Sequence, residues 1–189
     1  MKRAFVFLTT EGDSSNYKMN CTINYGDNIL YVYGVNSLEQ GYDLCKYLAI
    51  HKKCTLIELC GAFKEKGAKC ISEILGFNSE IVIAYTLYSN LAEERLAILD
   101  GAKNVISTFL LKVNENDEIF ADTDFNHGNE ILRIICAGSK DEAINKSKMA
   151  VKEGCILIEV DHEFGYDTAE AIMKNINNIP IGYTMIYNN

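Results

Sequence analysis

Apolar positions along this chain recur in two rhythms, and the succession of rhythms occurs twice in the same order. "RAFVFLT" at the start is an apolar run of strand length, and "ILYVYGV" from Ile29 is another. Between them lies a polar excursion, "TEGDSSNYKMNCTINYGDN". Ser37-x-x-Gln40 then reads as a capping box, in which the Ser side chain accepts an orphan amide and the residue three further on returns a bond. Leu38, Tyr42, Cys45, Leu48 and Ala49 follow at helical spacing. A strand from Cys54 to Cys60, a helix carrying Ala68, Ile71 and Leu75, and a strand from Glu80 to Tyr88 complete the series.

The second half repeats the order: "NVISTFLLKV", a polar excursion, "ILRIICAG", a capping box at Ser139-x-x-Glu142, and a helix with Ala143, Ile144, Ser147, Ala150 and Val151. A strand from Cys155 to Asp161 follows, then a helix with Ala169, Ile172, Met173 and Ile176 that Asp167-x-x-Glu170 should cap, then a strand from Ile179 to Tyr187. "CTLIELCGAFKEKGAKCI" and "CILIEVDHEFGYDTAEAI" align with Glu159 standing 101 positions after Glu58. Ordered self-similarity at one long offset is the mark of internal repetition. Between the halves, "NLAEERLAILDGAKNV" predicts a linking helix capped by Asn90-x-x-Glu93 and ended at Gly101.

The expected fold is α/β: two tandem β-β-α-β-α-β repeats with largely parallel sheets, packed as an intramolecular pseudo-dimer. Residues 1–88 form repeat one, 89–102 the linking helix and 103–189 repeat two. The middle strand of each repeat is nearly all apolar, as a strand covered on both faces should be.

Composition narrows the function classes. The chain has 189 residues, 48% hydrophobic and 23% charged, ordinary values for a packed globular protein. A net charge of −8 with no compensating basic run argues against a nucleic-acid partner. No apolar run reaches the roughly 18 residues that span a membrane, and the opening apolar run is too short for a signal peptide. Seven cysteines, an odd number with no Cys-x-x-Cys, read as reduced thiols in a cytoplasmic protein.

Strand alternation puts Cys54, Leu56, Glu58 and Cys60 on one face, and Cys155, Leu157, Glu159 and Asp161 on the equivalent face. Each glutamate lies late in a parallel strand, before a turn into a helix, where open α/β sheets bind ligands. A buried glutamate must be paired or hold a raised pKa. Glu58 and Glu159 are therefore candidates either for structural pairing or for general-base work. "CGAFKEKGA" offers Cys60, Gly61, Lys64, Lys66 and Gly67 as a cradle for a phosphate or carboxylate at a helix N-terminus, with Gly165 the glycine of the second turn. Against this, glycines in that turn serve as well merely to reverse the chain. Asp161 and His162, with Asp122, Asp124 and His127 upstream, are residue types that hold a divalent cation, although their spacing matches no standard zinc pattern.

The first half resembles a family of small bacterial proteins of unknown function. The resemblance rests on Ala4-Phe5-Val6-Phe7, then Gly34-Val35, then Ile57-Glu58-Leu59-Cys60-Gly61-Ala62-Phe63-Lys64 and Gly67-Ala68, set against an I-E-L-C-G-G-F-G-x-x-G-A signature. Ala62 and Lys64 stand where that signature has glycines; in the second half only Ile158, Glu159, Phe164, Gly165 and Ala169 match. The resemblance implies no activity.

The sequence thus supports a protein that binds a small anionic metabolite at strand carboxyl ends, as an enzyme or not. Two alternatives stand beside it: a non-catalytic binding or assembly module, and a metal-dependent hydrolase using Asp161 and His162. The sequence names no cofactor, reaction or substrate, implies no nucleic-acid or membrane partner, and leaves homo-oligomerisation open.

Overall fold

The computed structural model describes residues 1–9, 18–76, 80–99, 105–114, 117, 123–127 and 130–188. The chain divides into two compact units, Met1–Thr86 with Thr184–Asn189, and Leu87–Tyr183.

In the first unit the strands are β1 (Lys2–Leu8), β2 (Lys18–Tyr25), β3 (Asn28–Val35), β4 (Leu56–Leu59) and β5 (Val82–Tyr88), whose last two residues, Leu87 and Tyr88, count with the second unit, in sheet order β2-β3-β1-β4-β5. β1 runs parallel to both β3 and β4, and β4 parallel to β5; only β2 is antiparallel, on the outer side of β3. The chain goes from β3 through α1 (Leu38–Tyr47) to β4, then through α2 (Lys64–Leu75) to β5. Both crossovers step the same way along the sheet. Right-handed connections in one direction place both helices on one face, and α1 and α2 pack against each other.

The second unit has the equivalent series. Its strands are β6 (Val105–Lys112), β7 (Thr123–His127), β8 (Glu130–Ala137), β9 (Leu157–Val160) and β10 (Ile181–Ile186), whose residues from Thr184 on count with the first unit, in order β7-β8-β6-β9-β10. Again only β7 is antiparallel to its neighbour. The crossover helices are α4 (Lys140–Lys152) and α5 (Tyr166–Asn175). Their buried residues Ala143, Ala150, Ala169 and Ile172 share one core with Leu110, Ile135, Ile158, Val160 and Ile181 of the sheet. The helices therefore cover a single face, and alternation turns Leu157 and Glu159 to the other one.

Both polar excursions contain a strand that the β-β-α-β-α-β reading omits. β2 is "KMNCTINY", in which Met19, Cys21, Ile23 and Tyr25 alternate with polar residues, a half-buried strand pattern. Its hairpin to β3 turns at Gly26, which has φ 51 and so suits a residue without Cβ. The segment between the halves is helical at α3 (Asn90–Leu99), but its cap is Ser89, whose Oγ accepts the Ala92 amide at 3.3 Å, not Asn90. Gly101 lies outside the described residues.

Both capping boxes form. Ser37 Oγ accepts the Gln40 amide at 3.1 Å, and Ser139 Oγ accepts the Glu142 amide at 3.3 Å. The return bond goes one residue further back than the standard motif, from the Asn36 amide to Gln40 Oε1 at 2.9 Å and from the Gly138 amide to Glu142 Oε2 at 2.7 Å. The expected cap at Asp167 is absent: α5 begins directly after Gly165 with no side-chain cap bond. No helix among the described residues is long and apolar enough to cross a membrane.

Candidate functional site

The two strand-to-helix turns lie at the carboxyl ends of β4 and β9, where sequence reasoning placed a site. Each is one turn of 3-10 helix, Gly61–Phe63 in the first unit and His162–Phe164 in the second, inserted between strand and helix.

Glu58 sits in β4 beside Phe5 of β1 and Ala84 of β5. It is fully buried, and its Oε2 meets Nη2 of Arg3 at 2.5 Å; Arg3 is also fully buried. Arg3 precedes Phe5 by two positions in β1, so it projects from the same face and reaches along the row to the carboxylate. Nη1 of Arg3 lies 3.3 Å from the Tyr25 hydroxyl of β2. A charge in the interior is tolerated when paired and hydrogen-bonded, and this arrangement supplies both.

Glu159 occupies the equivalent place beside Phe109 of β6 and Gly182 of β10. Position 107 aligns with Arg3 through these registers and holds Ser107, whose hydroxyl turns to the Ile131 carbonyl. Glu159 is 5% exposed and accepts a hydrogen bond from the hydroxyl of Tyr88.

The residue after each strand ties the turn back to the preceding strand. Cys60 Sγ accepts the Leu8 amide at 3.4 Å. Asp161 does the same with a carboxylate: Oδ2 accepts the Lys112 amide at 2.9 Å and Oδ1 the Glu163 amide at 3.0 Å. Asp161 is fully buried, and its Oδ1 also lies 3.1 Å from Nδ1 of His162, whose side chain is 18% exposed. Phe63 and Phe164 then close the two turns with matching amide bonds to the carbonyls of Cys60 and Asp161.

Gly61 opens the first turn, and Lys64 and Lys66 stand exposed on the first turn of α2. Lys64 has φ 55 and ψ 178, a region that is essentially reserved for glycine. The matching residue of the second unit is Gly165, at φ 71 and ψ 163. Gly67 faces inward instead. A Cβ there would meet the Cβ of Phe63 at 3.0 Å, and a Cβ on Gly41 of α1 would meet the ring at 2.6 Å. The two glycines thus form a slot for the Phe63 side chain, which is 2% exposed.

Of the upstream candidates, Asp124 is held by Arg133, with Oδ1 2.8 Å from Nε and Oδ2 3.0 Å from Nη2. Asp122 and the side chain of His127 lie outside the described residues. None of the seven cysteines is in a disulfide. Burial pushes the Cys21 thiol up to about 12 and the Cys54 thiol to about 11, and raises Cys45 and Cys155 as well, so these four are poor nucleophiles.

Sequence reasoning missed Arg3 and Tyr88, the partners of the two glutamates. An arginine at the start of "RAFVF", in phase with Phe5 and Phe7, carried a signal for the first; Tyr88 carried none. No curated protein matches the chain. The opening strand, the Gly34-Val35 strand end and the turn after Glu58 all fall within residues 1–101, which match a family model, and the chain belongs to that family of unknown function, DUF6506.

Proposed function

We propose that the protein is a non-catalytic module that binds a small anion at the turn after β4, with Lys64 as the residue presented to the ligand. One observation carries this reading. Lys64 is held where a non-glycine residue costs about 1–3 kcal/mol, while the second unit has glycine at the same place. A cation kept against the preference of its own backbone is best explained by what its ammonium meets. Exposed Lys66 lies nearby, and α2 has no side-chain cap on its first amides, which suits an anion. The carboxylates are accounted for otherwise: Glu58 is paired with Arg3, and both oxygens of Asp161 take backbone amides.

A thermal-shift screen against phosphorylated and carboxylate metabolites tests this. At least one should raise the melting temperature of the wild type, and Lys64→Gly combined with Lys66→Gln should abolish that shift. A wild type that responds to none of them, or a double variant that responds as before, overturns the reading.

The Asp161–His162 contact favours a second reading, a metal-dependent hydrolase, because a carboxylate on Nδ1 orients Nε2 outward for proton transfer or metal ligation. Unchanged melting temperatures with Mn²⁺, Zn²⁺ and Mg²⁺ would sink it. We further infer that the two units are copies of one ancestral unit, from their common strand order, capping boxes and strand-end bonds. A sequence profile built from 103–189 alone should then retrieve relatives of 1–88, and retrieval of an unrelated family would contradict it.

A further inference from the structure

The second unit holds a cleft whose lining shares no residue with its strand-end turn, with a volume of about 140 Å³. Its walls include Ala92 of α3, Met173 of α5, and Ile176, Ile179 and Ile181 on the path from α5 into β10. One charged side chain, Arg95, also lines it. Ala92 and Arg95 are three residues apart on α3 and so share a helix face.

Arg95 is half-buried, and its guanidinium is poorly provided for. Among the described residues its one polar partner is the carbonyl oxygen of Ile179, 3.5 Å from Nη1, at the outer limit of a hydrogen bond. A guanidinium carries five N–H donors in a planar fork that matches a carboxylate. Here the fork borders a cleft whose other walls are mostly hydrocarbon or thioether, with Ser89 and Asn177 as the polar members. The apolar walls disfavour a ligand that is polar all round, and the fork favours one with a single anionic end. A dry cavity of roughly 150 Å³ admits a molecule the size of benzene, so an occupant of this cleft has a tail of about four to six carbons.

We propose that this cleft binds a small monocarboxylate with a short hydrocarbon tail, its carboxylate on the fork of Arg95 and its tail against Met173, Ile176 and Ile181. This site is separate from the turn after β4 and does not depend on the reading of that turn.

Calorimetric titration of the intact protein tests it, with acetate, butanoate, hexanoate and decanoate at fixed ionic strength. Hexanol serves as the uncharged probe. Affinity should rise from acetate to hexanoate and fall at decanoate, with hexanol failing to bind. Arg95→Gln should weaken hexanoate at least tenfold, and Met173→Phe should shift the optimum to a shorter tail. The proposal is overturned if no member of the series binds, if Arg95→Gln binds hexanoate like the wild type, or if hexanol binds as tightly as hexanoate. Met173→Phe is read only if its circular dichroism matches the wild type; Arg95→Gln decides the matter without it.

Discussion

The turn after β4 and the turn after β9 meet the same backbone requirements with different side chains. At the strand end, a thiol in the first unit and a carboxylate in the second accept an amide from the preceding strand, Leu8 onto Cys60 and Lys112 onto Asp161. One position earlier in the same row, the first unit neutralises its glutamate with Arg3 and the second bonds it to a tyrosine hydroxyl. The phenylalanines differ as well. Phe63 is buried in a slot made by Gly41 and Gly67, whereas Ala143 and Thr168 stand at the matching positions of the second unit and Phe164 is only half-buried. Among the described residues, the two non-glycine positions with positive φ are both lysines of the first unit, Lys53 and Lys64; their counterparts are Gly154 and Gly165. What the fold requires is therefore an acceptor, a hydrogen-bonded glutamate and a left-handed backbone. Where the first unit departs from the easiest residue, as at Lys64, something other than folding is the natural cause.

The largest effect should come from the buried pair. Arg3→Met leaves Glu58 buried beside an apolar chain and should cost about 3–5 kcal/mol in urea unfolding. Arg3→Met with Glu58→Leu should recover most of that loss, because an apolar pair needs no desolvated charge. Tyr88→Phe in the second unit removes one bond to Glu159 and should cost less, about 1–3 kcal/mol. Equal losses for Arg3→Met and Tyr88→Phe would break the contrast between an ion pair and a bond from a tyrosine hydroxyl.

Next in size is the phenylalanine slot. Gly41→Ala drives a methyl against the Phe63 ring and should destabilise by about 1–3 kcal/mol, as overpacked cores do. Ala143→Gly in the second unit removes a buried methyl and some helix propensity, and should cost about 1–2 kcal/mol. A neutral Gly41→Ala would show that Phe63 can move aside.

The smallest difference lies in the capping boxes, Gln40 against Glu142. The Gly138 amide, with help from Lys146, holds the Glu142 carboxyl below its ordinary value of 4.5. A lowered folded pKa gives stability that is complete above the unfolded value and is lost as pH falls through the folded one. The side chain is 41% exposed, so solvent screening limits the effect to a few tenths of a kcal/mol. Glu142→Gln, which copies the first unit, should keep the cap at neutral pH and flatten the stability profile below about pH 4.5. An unchanged acid limb in this variant would contradict the assignment.

The sequence disclosed these differences unevenly. Both capping boxes were legible because they are local, four residues read in order. The crossover helices and parallel strands followed from periodicity. β2 was legible too, in the alternation of Met19, Cys21, Ile23 and Tyr25, but its polar residues Asn20, Thr22 and Asn24 made it resemble a loop. The pairing of Arg3 with Glu58 was not legible, because it depends on the register of strands 55 residues apart, which no local pattern encodes. The conformation of Lys64 could be suspected only from the glycine that the resemblance puts there, and a side chain in the sequence says nothing of its own φ. Gly67 looked like part of an anion cradle, yet a helix interior gives a glycine a different use, room for a neighbouring ring.

The claim that Lys64 is kept for its charge and not for the fold is tested most directly by one variant measured two ways. Lys64→Gly should unfold at a higher temperature than the wild type without ligand, by an amount equal to about 1 kcal/mol, and should lose most of the thermal shift that a phosphorylated metabolite gives the wild type. A variant that is no more stable than the wild type and retains the full anion-induced shift would contradict the account.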